Sequence, residues 1–503
     1  MLLAFFAVLL AVPLLLWFLR NSSNTLWIAL GFYRLHKKHK NIPPGPRPWP
    51  IIGSLHLLAK HQNPLEAFTE LSKRYGDVFS IYLGSTPCVV VNSFELIKEV
   101  LITKGGDFVN RPDFMRFHKL FGGDRNNSLA LCDWSSIQQT RRSIARIYCS
   151  PRFTSLQYDM VSNVGVREIE SFLSNLSTLP VNEPTDIKPA VLAACANMFT
   201  QYMCSTSFSY EDQEFKKTVR FFDEIFWEIN QGYAVDFMPW LLPAYTYHMR
   251  KLSTWATEIR RFILSRIVDD HKSTLDLNSP PRDFTDALLM HLEEDSHLNW
   301  QHIIFELEDF IGGHSAVGNL VMVTLAEIVK HPEVPKRIQE EVDHVTRSQR
   351  CPTLADKPNM PYTEATLWET LRMASSPIVP HVASSDTDID GFAVPKDTMV
   401  FINNLELNMG EEYWTEPKKF MPERFLSPAG KVVKPAHFIP FSTGKRTCIG
   451  QRLVQCFSFL IIASLFQNYD VTAGGKIETK PGCLAVHPDS FKLVLRPRES
   501  CKD

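Results

Sequence analysis

The stretch Phe438-Ile439-Pro440-Phe441-Ser442-Thr443-Gly444-Lys445-Arg446-Thr447-Cys448-Ile449-Gly450, followed by the helix-period run Gln451 to Phe466, decides the reading of this chain. A cysteine just before a helix start faces unpaired N–H groups and the positive end of the helix dipole, and both favour thiolate over thiol. Gly444 and Gly450 let the backbone turn tightly and approach something flat. Arg446 offers a fixed cation for an acid group. A thiolate held this way is a natural axial ligand for haem iron, donating electron density that favours O–O cleavage. The ten cysteines of the chain include no CxxC pair, which argues against a zinc ribbon or a thioredoxin-like site and leaves Cys448 acting alone.

Two further constellations lie upstream. Pro361 to Arg372 has helical periodicity and places Glu369 and Arg372 three residues apart on one face. Trp300 to Lys330 reads as one long, mostly apolar helix. Its Glu306, Glu308 and Asp309 argue against a membrane span, and its middle reads Gly312-Gly313-His314-Ser315-Ala316-Val317. Two mid-helix glycines cost about 1 kcal/mol each relative to alanine, so they mark a close approach or a widened helix.

Together these motifs resemble the cytochrome P-450 haem-thiolate family, over roughly residues 41 to 500. The haem-loop signature F-x-x-G-x-R-x-C-x-G is present in full at Phe441, Gly444, Arg446, Cys448 and Gly450. Five fixed positions match by chance in about one chain of this length in ten thousand. The resemblance implies haem b with Cys448 as the metal ligand and Phe441, Gly444, Arg446 and Gly450 around it. It implies propionate contacts from Trp134 and His381. The arginine that usually follows the tryptophan by four residues is Gln138 here, with Arg141 and Arg142 one turn further on. It also implies a buried Glu369–Arg372–Arg424 network, structural rather than catalytic, with Arg424 in the segment Phe420-Met421-Pro422-Glu423-Arg424-Phe425.

On the oxygen-activation helix the family pattern is A/G-G-x-[D/E]-T-T. Gly312 and Gly313 fit it, but Ser315 stands at the acid position and Ala316 at the threonine position. Gly313, Ser315 and Ala316 are therefore the catalytic-helix candidates, and the usual acid–alcohol pair for proton delivery is missing. Ser315 can point at the haem only if the helix is distorted. The string Gly312 to Asn319 resembles Spook-type members of the insect Halloween group, which implies an early step of ecdysteroid synthesis. Substrate-facing residues are expected between Phe108 and Leu131, around Phe221 to Trp240, along Phe305 to Ala316 and near Cys483 to Val486.

Met1 to Leu19 contains no charged or polar residue, and nineteen residues span about 28 Å as a helix. Basic residues follow at Arg20, Arg34, Lys37, Lys38 and Lys40, with no acid before Glu66. The positive-inside rule then puts the rest of the chain in the cytosol. The expected organisation is a transmembrane signal anchor at 1–20, a basic segment with a proline-rich hinge at 21–53, and a haem-thiolate catalytic domain at 54–503. The hinge holds five prolines between Ile42 and Pro50, which forbid a helix and favour a stiff extended rod. Residues 134–350 read mostly as helices, while 379–440 is rich in Pro, Gly, Asp and Asn with short strands. The fold class is mainly α with a smaller β-rich portion, the cytochrome P-450 fold.

Of the 503 residues 45% are hydrophobic and 21% charged, with net charge -2, which is ordinary globular composition and argues against nucleic acid as a partner. The expected function is a membrane-bound monooxygenase of the endoplasmic reticulum oxidising a hydrophobic, sterol-like substrate, with electrons from NADPH through a separate NADPH-cytochrome P-450 reductase. Ala316 keeps a haem-thiolate isomerase or dehydratase, which needs no O2, as an alternative. A non-catalytic haem- or lipid-binding protein is a third.

Overall fold

A computed structural model describes residues 41–480 and 482–498. The expected anchor at 1–20 and the basic residues to Lys40 lie outside the described residues. The described residues are mainly helical with three small sheets. Contacts divide it into two compact units. The first comprises the described residues up to Val109 with Pro380–Asn403, the second Asn110–Val379 with the described residues from Asn404 on.

The first unit is built on a four-stranded sheet in the spatial order Val78–Leu83, Thr86–Val91, Met399–Ile402, His381–Val382. Strands β1 (Val78–Leu83) and β2 (Thr86–Val91) form a hairpin with Val78 opposite Val91. Strand β3 (His381–Val382) pairs antiparallel, and β2 parallel, with β6 (Met399–Ile402). Between them β4 (Thr387–Ile389) and β5 (Phe392–Val394) close around Asp390-Gly391, both at positive φ, the backbone a two-residue hairpin turn requires. Helix α1 (Pro64–Tyr75) starts where Asn63 Oδ1 accepts the Leu65 N–H at 3.0 Å and proline takes the first position, which needs no N–H.

The proline-rich stretch is laid along β1: the Pro44 carbonyl accepts the Ser80 N–H at 2.8 Å, and the Pro43 carbonyl the Ser80 hydroxyl at 2.8 Å. Proline can edge a strand this way because only its carbonyl is needed. A Cβ on Gly45 would lie 1.9 Å from the Ser80 carbonyl oxygen, so only glycine permits the approach.

The second unit carries the longer helices: α2 (Ser136–Cys149), α3 (Leu156–Ser177), α4 (Lys188–Cys204), α5 (Gln213–Ile229), α6 (Thr246–Ile263), α7 (Phe284–Glu294), α8 (Trp300–Ile311), α9 (Gly313–Ile328), α10 (Glu333–Thr346), α11 (Pro361–Ala374) and α12 (Gln451–Asn468). A two-stranded ribbon of β7 (Tyr469–Ala473) and β8 (Leu493–Pro497) follows. The apolar α4, α9 and α12 are buried almost all round and form the centre of this unit's core.

The expected long helix from Trp300 runs to Ile328 and is interrupted at the single residue Gly312, which divides it into α8 and α9. The cause is local. His314 Nδ1 donates to the Ile311 carbonyl at 2.6 Å, and the Ser315 N–H turns to the Gly312 carbonyl at 3.1 Å. A side chain that captures a main-chain carbonyl competes with the helix ladder and breaks its spacing.

Candidate haem-thiolate site

The loop before α12 has the geometry its glycines suggested. Ser442 and Gly444 sit at φ of 58° and 74°, and Gly444–Arg446 forms one tight 3₁₀ turn. The Cys448 N–H returns to the Phe441 carbonyl at 3.0 Å, closing the loop. Phe441 packs edge-on against Trp368, with centroids 6.1 Å apart. Gly450 then caps α12, with open space where a Cβ would stand.

Among the described cysteines Cys448 alone is exposed at its own surface, although protein surrounds it on most sides. Burial pushes its thiol above the usual value, against the N–H groups of Gly450 and Gln451 and the Arg142 charge. The helix-start groups expected to favour the thiolate are therefore present but outweighed by burial; a metal ion at the sulfur would supply the missing stabilisation.

Arg142 on α2 and Arg446 both stack on Trp134, their guanidinium carbons 5.8 and 5.4 Å from the ring centroid. Arg142 donates to the Thr447 carbonyl at 2.8 Å, directly before the cysteine. Arg446 donates to the Leu129 carbonyl at 3.1 Å and to the Cys132 carbonyl. Burial and then the Arg142 charge bring Arg446 down to about 10; burial and then Arg146 do the same to Arg142. Arg111 joins them. It is buried, donates to the carbonyls of Ala130 (3.0 Å) and Val379 (3.2 Å), and is held well below its ordinary value by burial and by the charges of Arg446 and Arg142. Two guanidiniums over one tryptophan, and a third that the charges of both depress, fit the pair of carboxylates that haem b carries.

Arg111 was not anticipated from sequence, because it sits in an irregular loop whose partner carbonyl is 268 residues away. Of the two arginines left open on α2, Arg142 reaches this cluster and Arg141 does not. Arg141 is fully buried, with Nε 2.6 Å from Glu306 and further bonds to the carbonyls of Asn126, Asn127 and His302. Gln138 donates to the carbonyls of Asn126 and Ser128. His381 belongs to the first unit, where its ring Nδ1 is 2.6 Å from the Phe108 carbonyl.

Glu369, Arg372 and Arg424 meet in one network. Glu369 accepts from Arg372 Nε and Nη2 at 2.7 Å each, from Arg424 Nε at 3.1 Å and from the Met421 N–H at 2.8 Å. Arg372 also donates to the carbonyls of Asn408 (2.7 Å) and Pro417 (2.8 Å).

On the oxygen helix, Asp309, Gly312, Gly313 and Ala316 are partly exposed while their neighbours are buried. The spacing i, i+3, i+4, i+7 defines one accessible face. Ser315 is fully buried, its hydroxyl 3.5 Å from His314 Nε2. The helix is thus distorted at Gly312, yet the distortion leaves Ser315 off this face. Asp309 accepts from the Ser128 hydroxyl and the Leu129 N–H, and burial raises it to about 6.

A family profile described as Cytochrome P450 matches residues 43–495. This chain belongs to the cytochrome P450 family. Cytochrome P450 307a1 of Drosophila melanogaster is 51% identical over 484 residues, covering 91% of this chain and 89% of that protein. Cytochrome P450 1B1 of Mus musculus is 30% identical over 528 residues (99% and 93%), and cytochrome P450 1A1 of Cavia porcellus 32% over 481 (91% of each). As a P450, the chain is an oxidoreductase, a monooxygenase that works with haem-thiolate iron. The family generally takes hydrophobic substrates and electrons from a redox partner.

Proposed function

We propose that this P450 oxidises a hydrophobic, sterol-like substrate with O2 and electrons drawn from NADPH through a separate reductase, at the endoplasmic reticulum membrane with its catalytic part facing the cytosol, in an early step of ecdysteroid hormone biosynthesis. The observation that carries the haem assignment is the Cys448 loop with Arg142 and Arg446 stacked on Trp134 beside it and the charge of Arg111 coupled to both. The sterol reading is supported by the Gly312–Asn319 string and by 51% identity to an insect P450 over most of both chains.

Cys448 would hold the iron of haem b, and the three arginines with Trp134 would hold its propionates. Bound haem supplies the binding and activation of dioxygen. The residues of the chain orient it and decide where protons come from. Ala316 presents a methyl group on the accessible face, with neither donor nor acceptor. Ser315 faces the interior. Asp309 shares the face but lies about 10 Å along the axis from Ala316, and its carboxylate is taken up by Ser128 and Leu129. No side chain at the family's acid–alcohol positions can deliver the proton, so a substrate hydroxyl or an ordered water does.

The test is a substrate-binding spectral titration over a sterol panel with linear hydrocarbons of equal size as controls, followed by NADPH consumption and product analysis with reductase. Selective shifts by sterols and NADPH-dependent product support the proposal. Binding without sterol preference would refute the substrate class, and product formed without NADPH would point to an isomerase or dehydratase.

A further inference from the structure

Helix α4 opens with a lysine whose ammonium lies in the protein interior. Lys188, Asp223 on α5 and Asn319 on α9 are all buried. Lys188 Nζ donates to Asp223 Oδ2 at 2.7 Å, to the Val486 carbonyl at 2.8 Å and to the His487 carbonyl at 3.4 Å. The other Asp223 oxygen accepts from Asn319 Nδ2 at 2.9 Å. The same Nδ2 donates to the Ser315 carbonyl at 2.8 Å, and Asn319 Oδ1 accepts the Val486 N–H at 2.7 Å. Each donor of the ammonium and of the amide has an acceptor, and this pattern sets the amide orientation.

Val486 is therefore gripped by both its N–H and its carbonyl, from side chains on two different helices. A buried ion pair is a poor stabiliser, because desolvation offsets much of its attraction and a well-packed apolar pair is often as stable. Its value here is geometric, and its place says for what. Asp223 follows Phe222, whose ring lies 3.0 Å from where a Gly312 Cβ would stand and 5.2 Å from the His314 ring centroid. Asn319 is seven residues beyond Gly312, about 20° short of two full turns, so it borders the accessible face. Two residues before Val486, Leu484 is half-buried against the core. Outside the buried centre, Arg220 pairs with Asp489 at 2.9 Å and Trp227 meets His487 edge-on at 5.1 Å, so α5 carries this loop along its length.

We propose that Lys188, Asp223 and Asn319 are specificity-determining positioning residues: they clamp the Cys483–His487 loop onto α5 and α9 beside the accessible face of the oxygen helix, and the loop so held bounds the space the substrate takes along that face. The clamp rests on the placement of the pocket along the oxygen helix and is independent of whether the substrate is a sterol.

The experiment uses the full chain with haem and two azole probes read by difference spectroscopy. Imidazole needs only the iron, whereas clotrimazole must also fit against the pocket walls. In Lys188→Met/Asp223→Leu, which removes both charges together, the unfolding midpoint stays near that of the parent and imidazole binds within about twofold, while clotrimazole affinity changes by about tenfold or more. Asn319→Ala keeps both charges of the ion pair and releases Val486, Ser315 and one oxygen of Asp223; it shifts clotrimazole by about fivefold or more with imidazole unchanged. A purely structural role predicts that both azoles bind either variant within about twofold, and that result would overturn the proposal. Hydrogen exchange on the unmodified protein gives a readout that needs no variant: the Val486 amide exchanges slowly if clamped, and rapid exchange there would equally overturn it. Because neither probe is a sterol, failure here is distinct from failure of the sterol reading.

Discussion

Replacing Glu369 by glutamine removes one charge while keeping the side-chain shape. The carboxylate is fully buried and accepts four N–H bonds, three of them from the guanidiniums of Arg372 and Arg424. In Glu369→Gln an NH2 group must face a guanidinium, and two arginines share a single neutral acceptor. Hydrogen bonds to charged groups are worth about 1.5–3 kcal/mol each, so losing two costs about 3–6 kcal/mol. That agrees with the cost of about 3–5 kcal/mol for breaking a buried pair from one side. With a urea slope of about 3 kcal/mol per molar or steeper, the unfolding midpoint falls by about 1 M. The assay is urea unfolding of the haem-bound protein followed by intrinsic fluorescence. Glu211→Ala, which cuts the exposed pair Lys216–Glu211 (3.3 Å), serves as the control and leaves the midpoint unchanged. A midpoint shift for Glu369→Gln no larger than the control's would refute the assignment of this network as a fold lock.

Arg142→Gln removes one propionate partner and speeds haem transfer to apomyoglobin by about tenfold or more with the fold intact; Arg141→Gln instead strands Glu306 and lowers the unfolding midpoint. Ser315→Ala leaves the ratio of product to NADPH consumed unchanged, because Ser315 is buried off the accessible face, whereas Ala316→Thr, which adds a hydroxyl on that face, changes it; a large loss of coupling in Ser315→Ala would show that Ser315 is the proton relay. Burial lowers His314 to about 4 from the usual 6.5, against the Ile311 carbonyl and the Asp223 charge. The unfolded chain therefore binds this proton first, and stability is lost as pH falls through 6.5 toward 4. Between pH 7 and 5 the loss amounts to about 2 kcal/mol, and His314→Phe should lack that part of the acid slope in urea titrations at the two pH values.

The haem loop and the Glu369–Arg372 pair were legible in sequence because their chemistry is local: each motif spans a few residues and its spacing alone brings the groups together. The oxygen helix was read as continuous because its apolar pattern runs on through Gly312; the break depends on one imidazole turning back onto its own backbone, which no periodicity records. Arg111 gains its place from a carbonyl 268 residues away, and the Lys188–Asp223–Asn319 set from three helices and a C-terminal loop. Such groups are fixed by tertiary packing, and the one cue at sequence level was a lone lysine opening the apolar run Lys188 to Phe199. The proline-rich stretch was read correctly as extended, but its seat on β1 rests on the Ser80 N–H and on the space left at Gly45.

The central claim is that Cys448 binds the haem iron. It is tested most directly by the absorbance of the reduced carbon-monoxide complex of Cys448→Ser beside the unmodified protein and Cys149→Ala, whose thiol is buried. The account predicts the thiolate-type Soret band in the unmodified protein and in Cys149→Ala and its loss in Cys448→Ser. Retention of that band in Cys448→Ser would contradict it.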